Sequence, residues 1–301
     1  MDRNGIVKVP FVKMHGIGND YIYVDALNGE KPEFLKEESL GELSRAISDR
    51  HFGIGSDGLI LILPSDKADF RMRIFNSDGS EAKMCGNGIR CVAKYLYDLG
   101  FTTKKEITVE TESGVKHLRL NIGNEEVKSV LVNMGAPSFK RKDFRASGNG
   151  ESEMSDEIMK VGDMEFAVTG VSMGNPHGVV YVDNIDNLKL EEIGPVLENN
   201  EIWHDRANIE FVKILSENEI RIRVWERGSG ETLACGTGAC AASVVSFKKG
   251  LIHPKVKVHL KGGKLDISYN EKENIVIMEG AAEFIAKGTY YWHKNQSPDN
   301  K

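Results

Sequence analysis

The strongest constraint on the fold of this chain is a repeat of its own sequence at an offset of 150 residues. At that offset the segment FRMRIFNSDGSEAKMCGNG (70–88) lies over IRIRVWERGSGETLACGTG (220–238). The two copies share two arginines, a glutamate, two glycines and a cysteine. Self-similarity at a fixed offset indicates a duplicated structural unit. With 301 residues in the chain, it therefore predicts two related domains.

Each copy of the repeat predicts a strand, a loop and a helix. FRMRIF and IRIRVW alternate polar and apolar residues, which is typical of strands. After the cysteine, apolar residues recur at helical spacing, and Gly100 and Gly250 stand where a C-terminal cap belongs. We therefore expect Cys85 and Cys235 each to lie at the start of a helix.

A tight turn explains the glycines of C-G-x-G, but it does not require a cysteine. A thiol at a helix N-terminus lies beside unpaired N–H groups and the positive end of the dipole. We expect both effects to lower the pKa of Cys85 and Cys235 from about 8.5. If two related halves faced each other, their loops would offer N–H donors to a carboxylate. A thiolate on one face and a thiol on the other could then invert an amino-acid α-carbon, as in a cofactor-independent racemase or epimerase.

Six segments, two of which overlap the repeat, strongly resemble motifs of the diaminopimelate epimerase family, in the family's order and over nearly the whole chain. They are HGIGNDYIYVD (15–25), RHFGIGSDG (50–58), FNSDGSEAKMCGNGIRC (75–91), MGNPHGVV (173–180), RANIEFV (206–212) and ERGSGETLACGTGACA (226–241). The resemblance implies an α+β fold of two pseudo-symmetric domains. Each would be a mostly antiparallel sheet wrapped around a central helix, with the active site in the cleft between the domains.

The resemblance also implies an activity and partners. The activity is interconversion of LL- and meso-diaminopimelate, a step toward lysine and peptidoglycan precursors, without pyridoxal phosphate, another cofactor or a metal. The partner would be this small-molecule substrate, and the family implies a homodimer.

Residue roles follow from the same motifs. Cys85 matches the family's proton donor and Cys235 its acceptor in the LL-to-meso direction, while His177 and Glu226 match groups that tune the thiols. The implied substrate-binding residues are Asn19, Asn76, Gly86, Asn87, Asn175, Asn208, Glu226, Arg227, Gly236 and Thr237. The chain departs from the pattern at Gly58, where some members carry glutamine, so a side-chain contact there is lost.

The duplication also sets expected domain boundaries. We expect an N-terminal domain at 1–133 and a C-terminal domain at 134–280, and the resemblance assigns residues 281–301 to the first domain. The charged stretch 140–157 predicts a solvated loop. The tail 293–301 predicts a frayed terminus.

Composition and charge exclude several classes of protein. A net charge of −6 without a long basic stretch argues against nucleic-acid binding. The longest apolar run, Leu59 to Leu63, is too short to span a bilayer. No signal peptide is recognised in residues 1–14, so we expect a cytoplasmic protein. The cysteine spacings do not match a zinc ribbon.

Some other features have simpler interpretations. GIGSDG (53–58) matches G-x-G-x-x-G, but it follows a predicted helix and precedes a predicted strand, the reverse of a dinucleotide fold. Cys91 and Cys240 lie among apolar helical neighbours and are expected in the core. We expect His15 to satisfy a turn after the first strand.

Three alternatives stay open from the sequence. One is a related two-cysteine enzyme, such as a proline racemase or hydroxyproline epimerase. Another is a non-catalytic binding module on the same fold. The third is a thiol–disulfide oxidoreductase, which would show redox turnover.

Overall fold

The computed structural model describes residues 6–28 and 33–294. Over these residues the chain divides into two compact units. The N-terminal unit comprises the described parts of Met1–Val130 and Ala281–Lys301, and the C-terminal unit comprises Leu131–Gly280. No helix in the described ranges is long and apolar enough to cross a membrane. The sequence predictions for residues 1–5 and for the tail beyond Lys294 lie outside these ranges.

Strands dominate the secondary structure. The strands are β1 (Ile6–Gly16), β2 (Asn19–Asp25), β3 (Gly58–Leu63), β4 (Phe70–Asn76), β5 (Glu81–Ala82), β6 (Glu106–Thr111), β7 (Gly114–Gly123), β8 (Glu126–Gly135), β9 (Glu157–Val161), β10 (Met164–Ser172), β11 (Pro176–Tyr181), β12 (Asn208–Ser216), β13 (Glu219–Glu226), β14 (Gly230–Thr232), β15 (Lys255–Leu260), β16 (Gly263–Asn270), β17 (Ile275–Gly280) and β18 (Glu283–His293). The helices are α1 (Glu37–Ser48), α2 (Gly86–Asp98), α3 (Leu190–Glu198) and α4 (Gly236–Lys248), with short 3-10 turns at Glu33–Leu35 and Arg141–Phe144.

In the N-terminal unit, β1 pairs antiparallel with β18 and with β2, and β2 runs parallel to β3. The sheet continues with an antiparallel pairing of β3 and β4, a parallel pairing of β4 and β6, and an antiparallel pairing of β6 and β7. The short β5 folds back on β4. Antiparallel pairings therefore predominate, with two parallel junctions among the described pairings.

The C-terminal unit follows the same order of pairings. Strands β9, β10 and β11 are antiparallel neighbours, and β11 runs parallel to β12. Strand β12 is antiparallel to β13, which runs parallel to β15, and β15, β16 and β17 are antiparallel. The short β14 folds back on β13. The fold is a mixed α+β fold dominated by sheet, with four α-helices in the described residues.

One buried helix lies against the sheet of each unit. Helix α2 contacts β1, β2 and β7 and is buried from Gly86 to Leu96. Helix α4 contacts strands β10 to β13 and β15 to β17, and it is buried continuously from Gly238 to Ser246. A helix without a polar face is stable only when it is covered on all sides. The glycines, alanines and serines of α4 allow strands to approach its backbone closely.

The glycines after these two helices terminate them as predicted. Helix α2 ends at Asp98, and Gly100 has φ +80°. Helix α4 ends at Lys248, and Gly250 has φ +70°. These left-handed conformations carry little penalty for glycine because it lacks a Cβ.

The stretch 140–157 is not simply the solvated loop that its composition predicts. Phe144 and Met154 are each 1% exposed and belong to the hydrophobic core of the C-terminal unit. The Phe144 ring packs edge-on against Trp203 at a centroid distance of 6.1 Å. The prediction was wrong at these residues because two apolar side chains weigh little in the composition of a charged segment, yet each is fully buried.

Candidate active site

The two repeated cysteines cap two helices in the same way. Cys85 is the N-cap of α2, and its Sγ accepts a hydrogen bond from the Gly88 N–H at 3.3 Å. Cys235 is the N-cap of α4, and its Sγ accepts from the Gly238 N–H at 3.3 Å. Cys85 is half-buried, whereas Cys235 is 6% exposed. The prediction that each cysteine begins a helix is confirmed.

In the N-terminal unit a network of amides surrounds Cys85. The Cys85 thiol donates to Asn19 Oδ1 at 3.4 Å, and Asn87 Nδ2 donates to the same oxygen at 3.3 Å. Asn19 Nδ2 in turn donates to Asp57 Oδ2 at 2.7 Å. Asp57 therefore determines which end of the Asn19 amide faces the thiol.

Asp57 is itself held by its neighbours. Its Oδ2 also accepts from the Asp20 N–H at 3.1 Å, and Arg50 lies 3.1 Å from its Oδ1. Burial raises the pKa of the Asp57 carboxyl, and the negative charge of Asp20 adds to this, while the Asn19 bond opposes it. Asp57 is part of GIGSDG, so this loop orients the Asn19 amide beside the Cys85 thiol. The loop lies between a helix and a strand, whereas a dinucleotide site requires a strand before it and a helix after it.

Two further predicted residues of this unit lie near the same helix start. Gly86 is the first residue of α2 and Asn87, 2% exposed, is the second. Beneath them the buried Arg90 donates to Gly86 O at 3.1 Å and to Asn87 Oδ1 at 3.0 Å. A buried cation thus supports the turn that follows Cys85. Asn76 ends β4 and donates to Ser80 Oγ at 3.0 Å.

In the C-terminal unit Cys235 lies among acidic groups. Burial raises the pKa of the Cys235 thiol well above its usual range, and the carboxylates of Glu226 and Glu210 raise it further. Hydrogen bonds to Thr237 and the Gly238 N–H act in the opposite direction. The prediction that the helix start lowers the pKa of Cys235 was therefore wrong in net sign, because burial and two acidic side chains outweigh the helix terminus.

Glu226 ends β13 and is partly exposed. Removal from water raises the pKa of its carboxyl group, a hydrogen bond from Thr232 lowers it, and Glu210 raises it again. The Thr232 hydroxyl donates to Glu226 Oε1 at 2.5 Å. Glu226 and Cys235 each act on the other's pKa, so they form one coupled acid–base pair.

His177 is fully buried and lies between two side chains. Its Nδ1 is 2.7 Å from Glu210 Oε1, and its Nε2 is 2.9 Å from Asn175 Oδ1. Glu210 is also fully buried. Imidazole and carboxylate at this distance form a charge-assisted hydrogen bond.

Asn208 and Arg227 are linked through the backbone. Asn208 Oδ1 accepts from the Arg227 N–H at 3.0 Å, and its Nδ2 donates to Pro176 O at 3.0 Å. The Arg227 guanidinium donates to Asp205 O at 2.8 Å and lies 3.4 Å from the Asp205 carboxylate. Gly236 and Thr237 form the first turn of α4, and Thr237 Oγ1 lies 3.6 Å from Cys235 Sγ.

The structure therefore gathers the predicted residues into four groups, described within each unit. Asn19 and Asn87 surround Cys85; Glu226 and Thr237 surround Cys235. The other predicted residues of the C-terminal unit divide between the Asn175–His177 pair and the Asn208–Arg227 pair. Asn76 contacts Ser80 at the end of β4.

The simpler interpretations of other features hold. Cys91 and Cys240 are both 0% exposed within the buried helices, as predicted. His15 lies inside β1, one residue before its end, and its Nδ1 accepts from the Gly18 N–H at 3.2 Å, so it satisfies the turn. GIGSDG follows α1 and precedes β3, the predicted order.

Gly58 has a steric reason to lack a side chain. A Cβ at this position would lie 2.2 Å from the Phe75 carbonyl oxygen on the paired strand. A glutamine could not enter without a shift of the β3–β4 backbone.

Sequence reasoning missed Asp57 and Glu210. Both lie inside motifs that carried the resemblance, GIGSDG and RANIEFV, and a buried acid inside an apolar strand such as NIEFV is a usable signal. Within the described ranges, no group of three or more histidine, cysteine, aspartate or glutamate side chains could hold a metal ion.

Comparison with known proteins identifies the family of this chain. The family model described as diaminopimelate epimerase matches residues 11–140 and 169–285. A protein named diaminopimelate epimerase from Methanococcus maripaludis strain C6 is 50% identical over 92% of this chain and 98% of its own length. One of the same name from Agathobacter rectalis is 51% identical over 92% of this chain and 98% of its own length.

A solved structure shares the fold at much lower identity. The hydroxyproline epimerase of Agrobacterium vitis, solved with trans-4-hydroxy-L-proline bound, has a TM-score of 0.68 and 15% identity, covering 97% of this chain and 94% of its own. From the family match and the half-identical relatives over nearly their whole length, the chain belongs to the diaminopimelate epimerase family of isomerases.

Proposed function

We propose that this protein epimerises LL-diaminopimelate to meso-diaminopimelate in lysine and peptidoglycan-precursor biosynthesis. The observation that carries the proposal is the pair of equivalent cysteines, each capping a buried helix and each beside polar groups that act on its proton. Packing alone does not call for a thiol at both positions. The names of the half-identical relatives supply the substrate.

The proposed mechanism uses one thiolate and one thiol. In the LL-to-meso direction, the Cys235 sulfur removes the α-proton from one face while Cys85 delivers its thiol proton to the other. The electron pair left by the broken C–H bond passes into the substrate carboxylate and returns to form the new C–H bond. After one turnover Cys235 is the thiol and Cys85 the thiolate, so the protein returns to its starting state by exchanging protons with solvent.

Glu226 explains how a buried thiol can act as a base. The raised pKa of Cys235 means that the resting group is a thiol. The pKa of Glu226 is raised too, so its carboxylate can take up the thiol proton as the sulfur approaches the substrate. Proton transfer from Cys235 to Glu226 leaves the net charge of the pair unchanged, which avoids placing a second negative charge in a buried site.

The first turns of α2 and α4 would stabilise the developing charge. The N–H groups of Gly86 and Asn87 begin α2, and those of Gly236 and Thr237 begin α4. Preorganised donors of this kind contribute on the order of 10²–10³ in rate each when they face an anionic intermediate. We propose that both turns bind the reacting carboxylate in a cleft between the two domains, N-terminal 1–133 with 281–301 and C-terminal 134–280.

The remaining polar residues would hold the end of the substrate that does not react. Arg227 can bind a carboxylate through two N–H groups, and it would exchange its present contact with Asp205 for the substrate. Asn76, Asn175 and Asn208 supply amide donors and acceptors for the distal ammonium and carboxylate. At Gly58 only backbone groups are available to contact the substrate.

We also propose that the protein is a cytoplasmic homodimer.

The second candidate is racemisation or epimerisation of proline-type imino acids. The shared fold with a hydroxyproline epimerase keeps it open. The charged and amide set around Arg227 favours a long substrate with two amino-acid ends over a small ring. A non-catalytic binding module is disfavoured because it has no use for both thiols.

The test is a comparison of substrates and thiol variants. We expect the purified, reduced protein without added cofactor to convert LL-diaminopimelate and to leave L-proline unchanged. Cys85→Ser and Cys235→Ser should each lose epimerisation, because a hydroxyl is far too weakly acidic to replace the thiol. Cys240→Ala is the matched control, since this thiol is buried in the core of α4. Proline turnover, or near-full activity of either serine variant, would overturn the proposal.

A further inference from the structure

The strand beneath helix α4 contains a buried acid that the proposed mechanism does not use. Glu210 lies on β12 with no exposed surface, and its Oε1 is 2.7 Å from His177 Nδ1. Its Oε2 has no hydrogen-bond partner among the described residues. An ionised carboxylate with an unsatisfied buried oxygen costs stability. Its presence therefore needs an explanation other than packing.

The equivalent place in the N-terminal unit is apolar. Ile60 precedes Glu210 by the repeat offset of 150 residues and is also fully buried. A Cβ added to Gly88 would meet Ile60 Cδ1 at 2.6 Å, just as one added to Gly238 would meet Glu210 Oε1 at 2.8 Å. Both side chains thus lie beneath the third residue of the helix that begins after a cysteine. The first turn of α2 therefore lies over a methyl group, and the first turn of α4 lies over a carboxylate.

We propose that Glu210 is a positioning residue that makes the two thiol sites chemically unequal. It fixes the His177 ring with Nδ1–H directed at its carboxylate. Its negative charge also keeps the resting proton on the coupled pair of Cys235 and Glu226. This deepens the proposed function, and it rests on that function only for the part played by Cys235 in turnover.

The electrostatics follow from the strands packed against α4. The titratable groups that act on Cys235 are Glu226 on β13 and Glu210 on β12, and His177 on β11 acts on Glu226. Glu210 raises the pKa of both Cys235 and Glu226. The negative charge of Glu210 therefore increases the proton affinity of both Cys235 and Glu226. When Cys235 gives up its proton, Glu226 can keep it within the site.

The first test measures the protonation of Cys235 directly. In a Cys85→Ala background, the rate of iodoacetamide alkylation of Cys235, located by peptide mass spectrometry, is followed against pH. Because its pKa is raised, the rate should still be rising above pH 9 in the parent. Glu210→Gln removes the charge and keeps the size, so the profile should move to lower pH and the rate at pH 8 should rise about three- to tenfold, tenfold corresponding to one pKa unit.

A matched control separates this local effect from a change in overall charge. Glu192→Gln makes the same substitution on the exposed surface of α3, where Glu192 pairs with Lys189. We expect it to leave the Cys235 profile unmoved. A folded Glu210→Gln protein with the parent profile would overturn the proposal, and so would an equal shift in both variants.

A second measurement needs no substitution at Glu210. In protein labelled with ¹⁵N-histidine, the His177 resonances are assigned by their loss in His177→Gln. Because the His177 Nδ1 lies 2.7 Å from Glu210 Oε1, we expect this nitrogen to carry the ring proton. A non-protonated Nδ1 would overturn the proposal even if Glu210→Gln does not fold.

Neither measurement depends on turnover. If the alkylation and NMR results appear as expected but diaminopimelate is not epimerised, the proposed function fails and the assignment of Glu210 stands. If epimerisation is observed and both measurements give the contrary result, only the assignment of Glu210 fails.

Discussion

Replacing Gly238 by alanine is expected to destabilise the protein, although alanine is the better helix former. The added Cβ would lie 2.8 Å from Glu210 Oε1 and 3.2 Å from Cys235 Sγ, where ordinary contacts begin at 3.4 Å. The carboxylate oxygen would have to retreat by about 0.6 Å. It is held 2.7 Å from His177, and neither side chain has exposed surface, so the oxygen has little room to move.

The magnitude comes from two opposing effects. Overpacking a buried site costs about 1–3 kcal/mol, and the loosened bond to a charged group adds to that cost. Exchanging glycine for alanine within a helix returns at most about 1 kcal/mol. We therefore expect the free energy of unfolding of Gly238→Ala to fall by about 1–2 kcal/mol.

Urea unfolding, followed by far-ultraviolet circular dichroism, measures this change as a lower midpoint at constant m-value. Gly88→Ala is the matched comparison at the third residue of α2, where the added Cβ meets Ile60 Cδ1 at 2.6 Å. Valine lacks that atom, so Ile60→Val should relieve part of the cost in the double variant. If Gly238→Ala were as stable as the parent or more stable, the close packing of Glu210 against α4 would be refuted.

Two further predictions concern the N-terminal unit. Asp57→Asn should lower kcat/KM at least about tenfold with the fold intact, because the Asn19 amide loses its charged acceptor and can turn its NH₂ group toward Cys85. The control is Asp66→Asn, at an exposed position of the same unit, and equal activity of both variants would contradict the role of Asp57. Gly58→Gln should lower Tm by roughly 5–10 °C, because its Cβ would overlap the Phe75 carbonyl oxygen. An unchanged Tm in differential scanning calorimetry would contradict this prediction and show that the β3–β4 backbone can shift freely.

Much of the fold could be predicted from the sequence because its signals are local and repeated. Alternation in FRMRIF and IRIRVW predicted strands, and the structure has β4 and β13 there. The apolar spacing after Cys85 and Cys235 predicted α2 and α4, and Gly100 and Gly250 end them. Phe144 and Met154 were missed because their partners are distant in the chain.

The site was predicted less completely because its chemistry depends on burial. The sequence identified both cysteines and the amides beside Cys85. It gave the wrong sign for the pKa of Cys235 because the dominant effects come from desolvation and from acids on two other strands. Glu210 was visible in RANIEFV, but only the structure shows that β12 is buried at this residue and that His177 faces it.

The central claim is that two cysteines act on opposite faces of one carbon. The most direct test follows LL-diaminopimelate in D₂O, with substrate and product separated at low conversion and their deuterium measured by mass spectrometry. The donating thiol carries a deuteron from solvent, so the account predicts one deuterium in the meso product while the remaining LL substrate keeps its proton. Equal labelling of substrate and product from the start would indicate a single base, and that result would contradict the two-thiol mechanism.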